Sequence, residues 1–364
     1  MANIQALGEL INWVDVRNKG VISDNLLGIN IDKFFMPSVA NIIGTDLSSY
    51  KLIRNKQFAC NPMHVGRDEK MPIALYMDDS PSIVSPAYFV FEVKDAAKIN
   101  PEYLMLWFRR AEFDRECWYH TDGSVRGGIT WDEILEMTVP VPSIEEQNEL
   151  VKSYRDIERR IQIKKDINDN LESQANTIFR KYIADTTTKS SIYDILSVVN
   201  GAAFSSEYFN TDKIGLPLVR IRDLKSCVPE VWTNEILTKA EYIRSGDILI
   251  GMDGEFVPYI WYGAKSLLNQ RVCKVIPKQG IHPFFLYATL KPILADIERT
   301  QGGTTVIHLG KKDFDKMVCF NIDNEKHYDF FYIIEPIYSL IIANNQEILS
   351  LSEAKKSILS YLSR

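Results

Sequence analysis

Two long stretches of the chain place apolar residues on one face of a helix. The first begins at Ile144 and contains neither Pro nor Gly before Tyr182, and Ser143 is placed to cap its start. Its apolar stripe consists of Leu150, Tyr154, Ile157, Ile161, Leu171, Ala175, Ile178 and Tyr182. This alternation of three- and four-residue steps predicts a coiled-coil helix over residues 144–185.

A second stripe with the same spacing predicts a helix over residues 324–364. It consists of Phe331, Ile334, Ile337, Ile341, Ile348, Leu351, Ile358 and Leu362. Pro336 is expected near the start of this helix, in its first turn or at a kink. Because an isolated helix cannot leave such a stripe in water, we expect the two helices to pack on each other, and internal symmetry requires that they run antiparallel.

The helix pair could be purely structural, or it could be a spacer that sets the separation and rotation of two globular units. Lys164 and Asn168 interrupt the first stripe. A buried Asn can fix the register of a coiled coil, because slipped pairings leave it without a partner. The position equivalent to Asn168 is Ile348, so the sequence predicts a one-sided register device.

The chain also repeats itself outside the helices. The segments that open at Pro101 and Pro283 run in parallel, 182 residues apart, as far as Asp114 and Asp296. Further matches follow 180 residues apart, at residues 123–125 and 303–305. A repeat of half the chain predicts two similar globular units, residues 1–143 and 186–323, each followed by a helix.

The elements within each unit indicate an α+β fold. Strand-like stretches, IVSPAYFVFEV and LLNQRVCKVI, precede short helical segments in an irregular order. The regions before residue 80 and between residues 200 and 260 share little similarity. A shared frame with divergent variable parts is what a protein reading two different sequences requires, and DNA has a matching approximate twofold symmetry.

Composition is that of a globular protein, with 46% hydrophobic and 25% charged residues. No apolar run approaches the ~18 residues of a membrane span, and the N-terminus lacks a secretory signal pattern, so we expect a cytoplasmic protein without membrane contact. The five cysteines are scattered and never form a CxxC pair, which indicates buried core thiols.

Net charge bears on the partner. The chain carries −6, and residues 1–143 hold 14 Lys and Arg against 19 Asp and Glu. A protein that binds phosphates alone is normally basic. If DNA is the ligand, either basic residues are segregated on one face or partner subunits supply much of the phosphate contact.

No catalytic motif is present in the sequence. An amino-methyltransferase needs an Asn/Asp-Pro-Pro-aromatic loop, and Asn61-Pro62-Met63-His64 lacks the second Pro and the aromatic residue. Gly310-Lys311-Lys312 is too short for a phosphate loop, and the histidines never take metal-ligand spacing. We therefore expect no catalytic residues, no metal and no cofactor in this chain.

Polar residues in the variable turns are the candidates for DNA contact, because Arg and Lys can bind guanine and Asn can pair with adenine. They are Arg17, Lys19, Asn61, His64, Arg67, Lys70, Ser205, Ser206, Arg220, Arg222, Lys225 and Arg271. Arg220 and Arg222 alternate with apolar residues, so both are expected on one strand face. The alternative for each candidate is an ordinary solvated surface.

Glycine-rich turns in the repeat supply a further group. Residues that follow glycines can approach a phosphate closely. They are Ser124, Arg126, Thr304, Thr305 and His308. The alternative is a capping turn before the next helix.

Several of these stretches resemble one family. They are SPAYFVFEV with LNQRVCKV, PEYLMLWFRRAEFDR, GSVRGGI with GGTTVIHL, and VPVPSIEEQNELV. In order, spacing and duplication, the chain resembles the specificity subunit of type I restriction-modification systems. The resemblance implies two target-recognition domains that each bind half of a bipartite sequence in double-stranded DNA, across a gap set by the helices.

The resemblance also implies partners. Two modification subunits would methylate adenine with S-adenosylmethionine, and optionally two restriction subunits, which are motor-nucleases, would cleave DNA with ATP and Mg²⁺. The acidic first domain departs from this expectation for a DNA binder. The competing interpretations are a symmetric protein–protein scaffold without sequence readout and an enzyme with an unrecognised site.

Overall fold

The computed structural model describes residues 3–39, 44–121, 127–184, 186, 189–301, 308–320 and 324–362. It divides into two compact units: the first unit is residues 1–159 with 352–364, and the second unit is residues 160–351. The helices are α1 Leu7–Leu10, α2 Val65–Asp68, α3 Pro101–Phe108, α4 Ala111–Tyr119, α5 Trp131–Glu136, α6 Ile144–Ile183, α7 Pro283–Gln301, α8 Lys311–Phe314 and α9 Asn324–Tyr361.

Short strands account for the rest of the regular structure. In the first unit they are β1 Asn3–Ala6, β2 Ile11–Val14, β3 Leu26–Ile29, β4 Phe35–Pro37, β5 Lys51–Ile53, β6 Phe58–Cys60, β7 Ile73–Leu75, β8 Ser82–Val84, β9 Phe89–Val93 and β10 Thr138–Val141. In the second unit they are β11 Lys189–Ser191, β12 Leu196–Asn200, β13 Phe209–Asn210, β14 Leu216–Val219, β15 Val231–Thr233, β16 Tyr242–Ile243, β17 Ile248–Gly251, β18 Pro258–Ile260, β19 Ser266–Leu268, β20 Val272–Pro277 and β21 Val318–Phe320.

The two units repeat one sheet topology. The first unit has an antiparallel sheet β2-β9-β6-β7, a sheet β4-β3-β8-β5 with a parallel β3·β8 pair, and a ribbon β1-β10. The second unit has the sheet β12-β20-β17-β18, the sheet β13-β15-β14-β19-β16 with a parallel β14·β19 pair, and a ribbon β11-β21. The predicted α+β class with internal pseudo-symmetry is therefore confirmed.

Each unit has its own core, built on the first of these sheets and the helices that cover it. In the first unit, Phe58 stacks on Phe91 with ring centroids 4.9 Å apart, and both contact Phe108 of α3. In the second unit, Ile248 pairs with Val275 and packs in one cluster with Phe284 of α7. Asn100 caps α3 by accepting from Glu102 N, and Pro101 at the first helical position fixes the backbone there.

The long helices pair antiparallel within each unit. In the first unit, Glu158 contacts Lys355 at 2.7 Å and Glu146 contacts Tyr361 at 3.3 Å. In the second unit, Lys164 contacts Asn344 at 2.8 Å and Tyr182 contacts His327 at 3.2 Å. In both units, residues further along α6 contact residues earlier along α9. The two helices therefore run antiparallel, as the symmetry argument predicts. Ser143 caps α6 by accepting from Glu146 N at 3.2 Å.

Three details of the helix pair differ from the prediction. Asn168 is not a one-sided device, because Nδ2 of buried Asn344 donates to its Oδ1 at 2.9 Å. Phe330, 3% exposed, takes the inward position assigned to Phe331, which is 36% exposed. Pro336 lies in the interior of α9, so of the two expected positions the first turn is excluded, and the helix continues past it.

The cysteines behave as predicted, since all five are free and buried. Burial raises the pKa of Cys60 and that of Cys273 to about 12. Within the described ranges, no helix combines the length and apolar character needed to cross a membrane.

Candidate nucleic-acid interface

In the second unit, two polar side chains from separate segments, Arg271 and His308, meet at Asp253. Its Oδ1 lies 2.7 Å from His308 Nδ1, and its Oδ2 lies 3.2 Å from Arg271 Nη1. Because a carboxylate only accepts, Nδ1 of His308 donates to it. The Arg271 and His308 side chains are 57% and 50% exposed. The structure therefore brings two predicted DNA-contact residues together and holds both on one anion at the surface.

Backbone hydrogen bonds at the end of β17 place this group. Met252 N donates to Arg271 O at 2.9 Å, which extends the β17·β20 ladder by one step. Leu309 N donates to Met252 O at 2.8 Å, which brings His308 beside the same strand end. Gly254 follows with φ +83°, a left-handed turn that glycine adopts without strain.

The first unit has the same frame at the end of β6. Pro62 O accepts from Ile129 N at 3.3 Å, and Gly66 N donates to Gly127 O at 2.9 Å. Ile129 stands 180 residues before Leu309. In each unit, therefore, a backbone hydrogen bond connects the segment that follows β6 or β17 to the residue that follows the glycine-rich turn. Two topologically equivalent polar surfaces result, with different side chains on each.

Asn61 and Arg67 lie on this surface of the first unit. Asn61 Oδ1 accepts from Met63 N at 3.2 Å and so caps the turn Pro62–His64. Its side chain also forms a hydrogen bond with Tyr88. Burial raises the pKa of Tyr88 above its usual value, and the hydrogen bond with Asn61 opposes part of that shift. Arg67 forms two hydrogen bonds with Asp68, at 2.7 and 2.9 Å, and the hydrogen bond and charge of Asp68 raise the pKa of its guanidinium. Lys70 follows α2 and is exposed.

Arg17 and Lys19 lie on a neighbouring turn. The Arg17 guanidinium donates to Ser49 O at 2.8 Å and pairs with Asp15 at 3.0 Å, while Lys19 is exposed. Lys51 is buried, with 3% of its surface exposed, and its amine donates to Tyr88 O at 2.7 Å and lies 4.7 Å from the Trp13 ring. Its contacts are therefore internal to the fold.

The expectation that Arg220 and Arg222 share one strand face is wrong. Strand β14 ends at Val219, and Ile221–Asp223 form a 3₁₀ turn. Buried Asp223 causes the turn, because its Oδ2 accepts from Arg220 N at 2.9 Å. Arg220 also pairs with Glu230 at 3.0 Å, whereas Arg222 is exposed on the turn.

The remaining candidates of the second unit lie in nearby turns. Lys225 is exposed just beyond the 3₁₀ turn. Ser205 caps the turn Ser206–Tyr208 and receives a second contact from Glu235, whose carboxylate accepts from Ser205 N at 2.8 Å. Ser206 is exposed. The cap explains Ser205 structurally and leaves Ser206 as the residue available to a ligand.

Some candidates lie outside what the structure describes. Ser124, Arg126, Thr304 and Thr305 fall outside the described residues, and nothing is described of the His64 side chain. Across the described ranges, no group of three His, Cys, Asp or Glu residues is placed to hold a metal ion.

Four of the predicted arginines share one property: each forms an ion pair with a carboxylate. They are Arg17, Arg67, Arg220 and Arg271. Such a pair holds the planar guanidinium in place and offsets its long-range field. This arrangement suits short-range recognition more than attraction of DNA over a distance, and it agrees with the low basic charge of the chain.

Comparison with known proteins decides the family. The family model for the type I restriction modification DNA specificity domain matches twice, over residues 51–173 and 185–318. The chain belongs to this family. Each match covers most of one globular unit, so the duplication seen in the topology is a duplication of the specificity domain.

Individual relatives agree. The specificity subunit of the type I restriction enzyme EcoBI from Escherichia coli is 33% identical over 131 residues, which is 36% of this chain and 28% of that protein. The MjaIX specificity subunit from Methanocaldococcus jannaschii is 22% identical over 280 residues, or 65% of this chain and 63% of that protein. These matches therefore span less than two thirds of either relative.

Among solved structures, the S subunit of a type I restriction-modification system from M. genitalium has the same fold. It aligns with a TM-score of 0.61 at 12% identity, over 100% of this chain and 96% of that one. At this identity the likeness concerns the fold.

Proposed function

We propose that this chain is the DNA sequence-specificity subunit of a type I restriction-modification complex. Residues 1–143 and 186–323 act as target-recognition domains that each bind one half of a bipartite double-stranded target. Residues 144–185 and 324–364 form the spacer that sets the gap between the halves. The observation that carries the proposal is the double match to a DNA specificity domain, one per unit.

In this proposal the chain has no catalytic role of its own. Two modification subunits methylate adenine N6 with S-adenosylmethionine, and two restriction subunits with ATP and Mg²⁺ cleave DNA where they are present. The chain supplies base contacts from Arg67 in one unit and from Arg271 and His308 in the other. Its partners supply much of the phosphate contact, because the chain carries a net −6. The complex works in the cytoplasm.

The paired arginines support the assignment of base contact to this chain and of phosphate contact to its partners. An arginine held by a carboxylate can exchange that partner for the O6 and N7 atoms of guanine only when the geometry is correct. With a wrong base, the guanidinium stays on its original carboxylate, and the complex gains no binding free energy from that arginine. Discrimination is therefore built into the chain, and general affinity is left to the assembly.

Sequencing of N6-methyladenine tests the proposal. Cells that carry this chain with its two modification subunits should methylate one bipartite motif throughout the genome, and deletion of this chain alone should abolish that methylation. Methylation that persists without the chain, or that lacks a bipartite motif, would support the scaffold interpretation instead.

A further inference from the structure

An exposed turn precedes strand β3 in the first unit and presents two apolar side chains to solvent. It consists of residues 18–23 and is called the Asn18 turn. At its tip, Val21 is 53% exposed and Ile22 is 58% exposed. Val21 also has φ +50°, in the left-handed region where a β-branched residue is strained. Such strain is costly, and strained residues cluster where a protein holds a ligand.

Buried Asn18 holds the turn in this conformation. Its Nδ2 donates to Ser23 O at 2.8 Å and to Leu47 O at 3.1 Å, and its Oδ1 accepts from Ser23 N at 3.2 Å. Val21 N donates to Asn18 O at 3.0 Å, which closes the turn. Asn18 itself is 0% exposed. The hydrogen bonds therefore fix the tip in an outward position and keep its apolar side chains in solvent.

The second unit repeats this arrangement although its variable part has a different sequence. In the Asn210 turn, residues 210–215, Asn210 Nδ2 donates to Ile214 O at 2.9 Å and to Trp232 O at 3.3 Å, and its Oδ1 accepts from Ile214 N at 2.9 Å. Lys213 has φ +62°, and Ile214 is 56% exposed. Each turn precedes the strand that forms the parallel pair of its unit, β3 with β8 or β14 with β19. The two turns are therefore topologically equivalent, and each presents an isoleucine.

The charges around the two isoleucines are mixed. Exposed Lys19 lies in the Asn18 turn, Arg17 precedes it, and exposed Lys213 lies in the Asn210 turn. Each turn also has one aspartate beside it or within it, Asp24 or Asp212. Neither turn is therefore a basic patch for phosphate, and the exposed aliphatic group is what the two have in common.

Double-stranded DNA offers one apolar group on its base edges that such a side chain can contact. This group is the C5-methyl of thymine, which projects into the major groove. An aliphatic side chain that a braced turn holds outward matches it, and a lysine in the same turn suits the phosphates beside the groove. Arg17 and Lys19, two of the predicted DNA contacts, place the Asn18 turn on the surface already assigned to DNA.

We propose that Ile22 and Ile214 are specificity-determining residues, and that each packs against the methyl group of a thymine in one half-site. Val21 extends the apolar contact in the first unit. The inference rests on the proposed function and adds to it a base contact made by apolar side chains. It also explains why two variable parts of little sequence similarity keep the same braced turn.

Deoxyuridine in place of thymidine removes the methyl group and keeps the base pair, so it tests the contact. With the substitution confined to one half of the target, binding of the assembled complex should weaken about fourfold for each contacted methyl group. Ile22→Ala should abolish this difference in one half only, and Ile214→Ala in the other half only. The matched control is Ile4→Ala, which removes a 68% exposed isoleucine of β1 and should leave both differences intact.

A second variant separates contact with DNA from stability of the turn. Asn tolerates the left-handed region, so Val21→Asn should raise Tm because it relieves the strain at this position. The same variant should reduce the deoxyuridine difference in the half that Ile22→Ala affects. A higher Tm with an unchanged deoxyuridine difference would remove Val21 from the contact.

The outcomes distinguish this inference from the proposed function. A complex that binds its target no better than a scrambled duplex would refute the proposed function. A complex that prefers its target, but whose deoxyuridine difference is absent or survives both isoleucine variants, would overturn this inference alone. Loss of complex assembly in either variant, measured by size-exclusion chromatography, would assign the turns to a partner subunit and would also overturn the thymine contact.

Discussion

At the scale of single residues, several of the candidate DNA contacts are side chains held in ion pairs. Arg271 and His308 share Asp253, and Arg67 is held by Asp68. A pre-positioned guanidinium loses less side-chain entropy on binding than a free one. The same pairs reduce the net attraction for phosphate, which makes these residues better suited to selection than to affinity.

Replacement of Arg271 tests this directly. Arg271→Gln should weaken DNA binding of the assembled complex by about 1–3 kcal/mol and relax specificity in one half-site only. The matched control is Arg299→Gln, which also removes an arginine that pairs with an aspartate, Asp296, but lies on α7. Competition binding against single-base variants of the target is the measurement. A uniform loss across all sequences would assign Arg271 to phosphate contact instead.

A pair of buried histidines makes the second unit sensitive to acid. His282 N donates to His327 Nε2 at 3.3 Å, so that nitrogen must stay unprotonated. Burial lowers the pKa of His327 to about 4 and also lowers that of His282, which contacts Glu335 at 3.0 Å. Between pH 6.5 and 4 the unfolded chain therefore binds protons that the folded chain excludes.

Stability should consequently be complete above pH 6.5 and fall toward pH 4. Each histidine contributes a slope of at most about 1.4 kcal/mol per pH unit. His327→Gln keeps an acceptor for His282 N but cannot be protonated, so its slope should be smaller. Urea unfolding at a series of pH values measures this, and equal slopes for both proteins would contradict it.

At the scale of elements, the helix pair has a defined register. Asn344 accepts from Lys164 and donates to Asn168, at 2.8 and 2.9 Å, so three side chains of α6 and α9 satisfy one another. Glu347 adds an ion pair with Lys164 at 3.0 Å. A slip by one turn would leave buried amides unpaired, which is costly in an otherwise apolar seam.

A change of spacer length must therefore be made in both helices. Insertion of seven residues after Glu158 in α6 and of seven before Lys355 in α9 preserves the heptad and the polar register. At ~1.5 Å per residue this adds about 10 Å, so the gap between DNA half-sites should grow by about three base pairs with both half-sequences unchanged. Methylome sequencing gives the gap directly.

Insertion in α6 alone is the control, and it should lower Tm because the Lys164–Asn344–Asn168 register is broken. An unchanged gap after the double insertion would argue against the spacer role.

The sequence predicted those features that depend on period and repetition. The antiparallel pairing of α6 and α9 followed from two stripes of equal spacing, and the common frame followed from the repeat. Arg220 was misplaced because the alternation of Val219, Arg220, Ile221 and Arg222 resembles a strand, whereas the buried carboxylate of Asp223 closes a turn. The contact of Asp253 with both Arg271 and His308 was not predicted, because these partners lie 18 and 55 residues away along the chain.

At the scale of the whole molecule, the variable segment of each unit leaves the shared frame and rejoins it at two neighbouring points of one sheet. In the second unit the excursion leaves after β12 and returns at β20, where Gly201 N donates to Val272 O at 3.1 Å. Gly201 must remain glycine, because a Cβ there would lie 2.1 Å from Asn269 O. The excursion includes β17 and β18 of the first sheet, so these strands are exchanged together with it, while β12, β20 and α7 stay in place.

Exchange of residues 202–271 for those of a related chain should change one half of the target and leave the other half and the gap alone. The complementary exchange of residues 15–87, between β2 and β9, should change only the other half. Methylome sequencing of both chimaeras is the measurement. A chimaera that altered both halves would show that the units do not read independently.

The buried thiols have a practical consequence. Burial raises the pKa of all five, so they react slowly with maleimides at neutral pH. A dye attached through Lys152→Cys, an exposed position of α6 outside the candidate DNA contacts, would then be the dominant fluorophore without removal of any native cysteine. The wild-type chain is thus already a suitable background for single-molecule observation of target search.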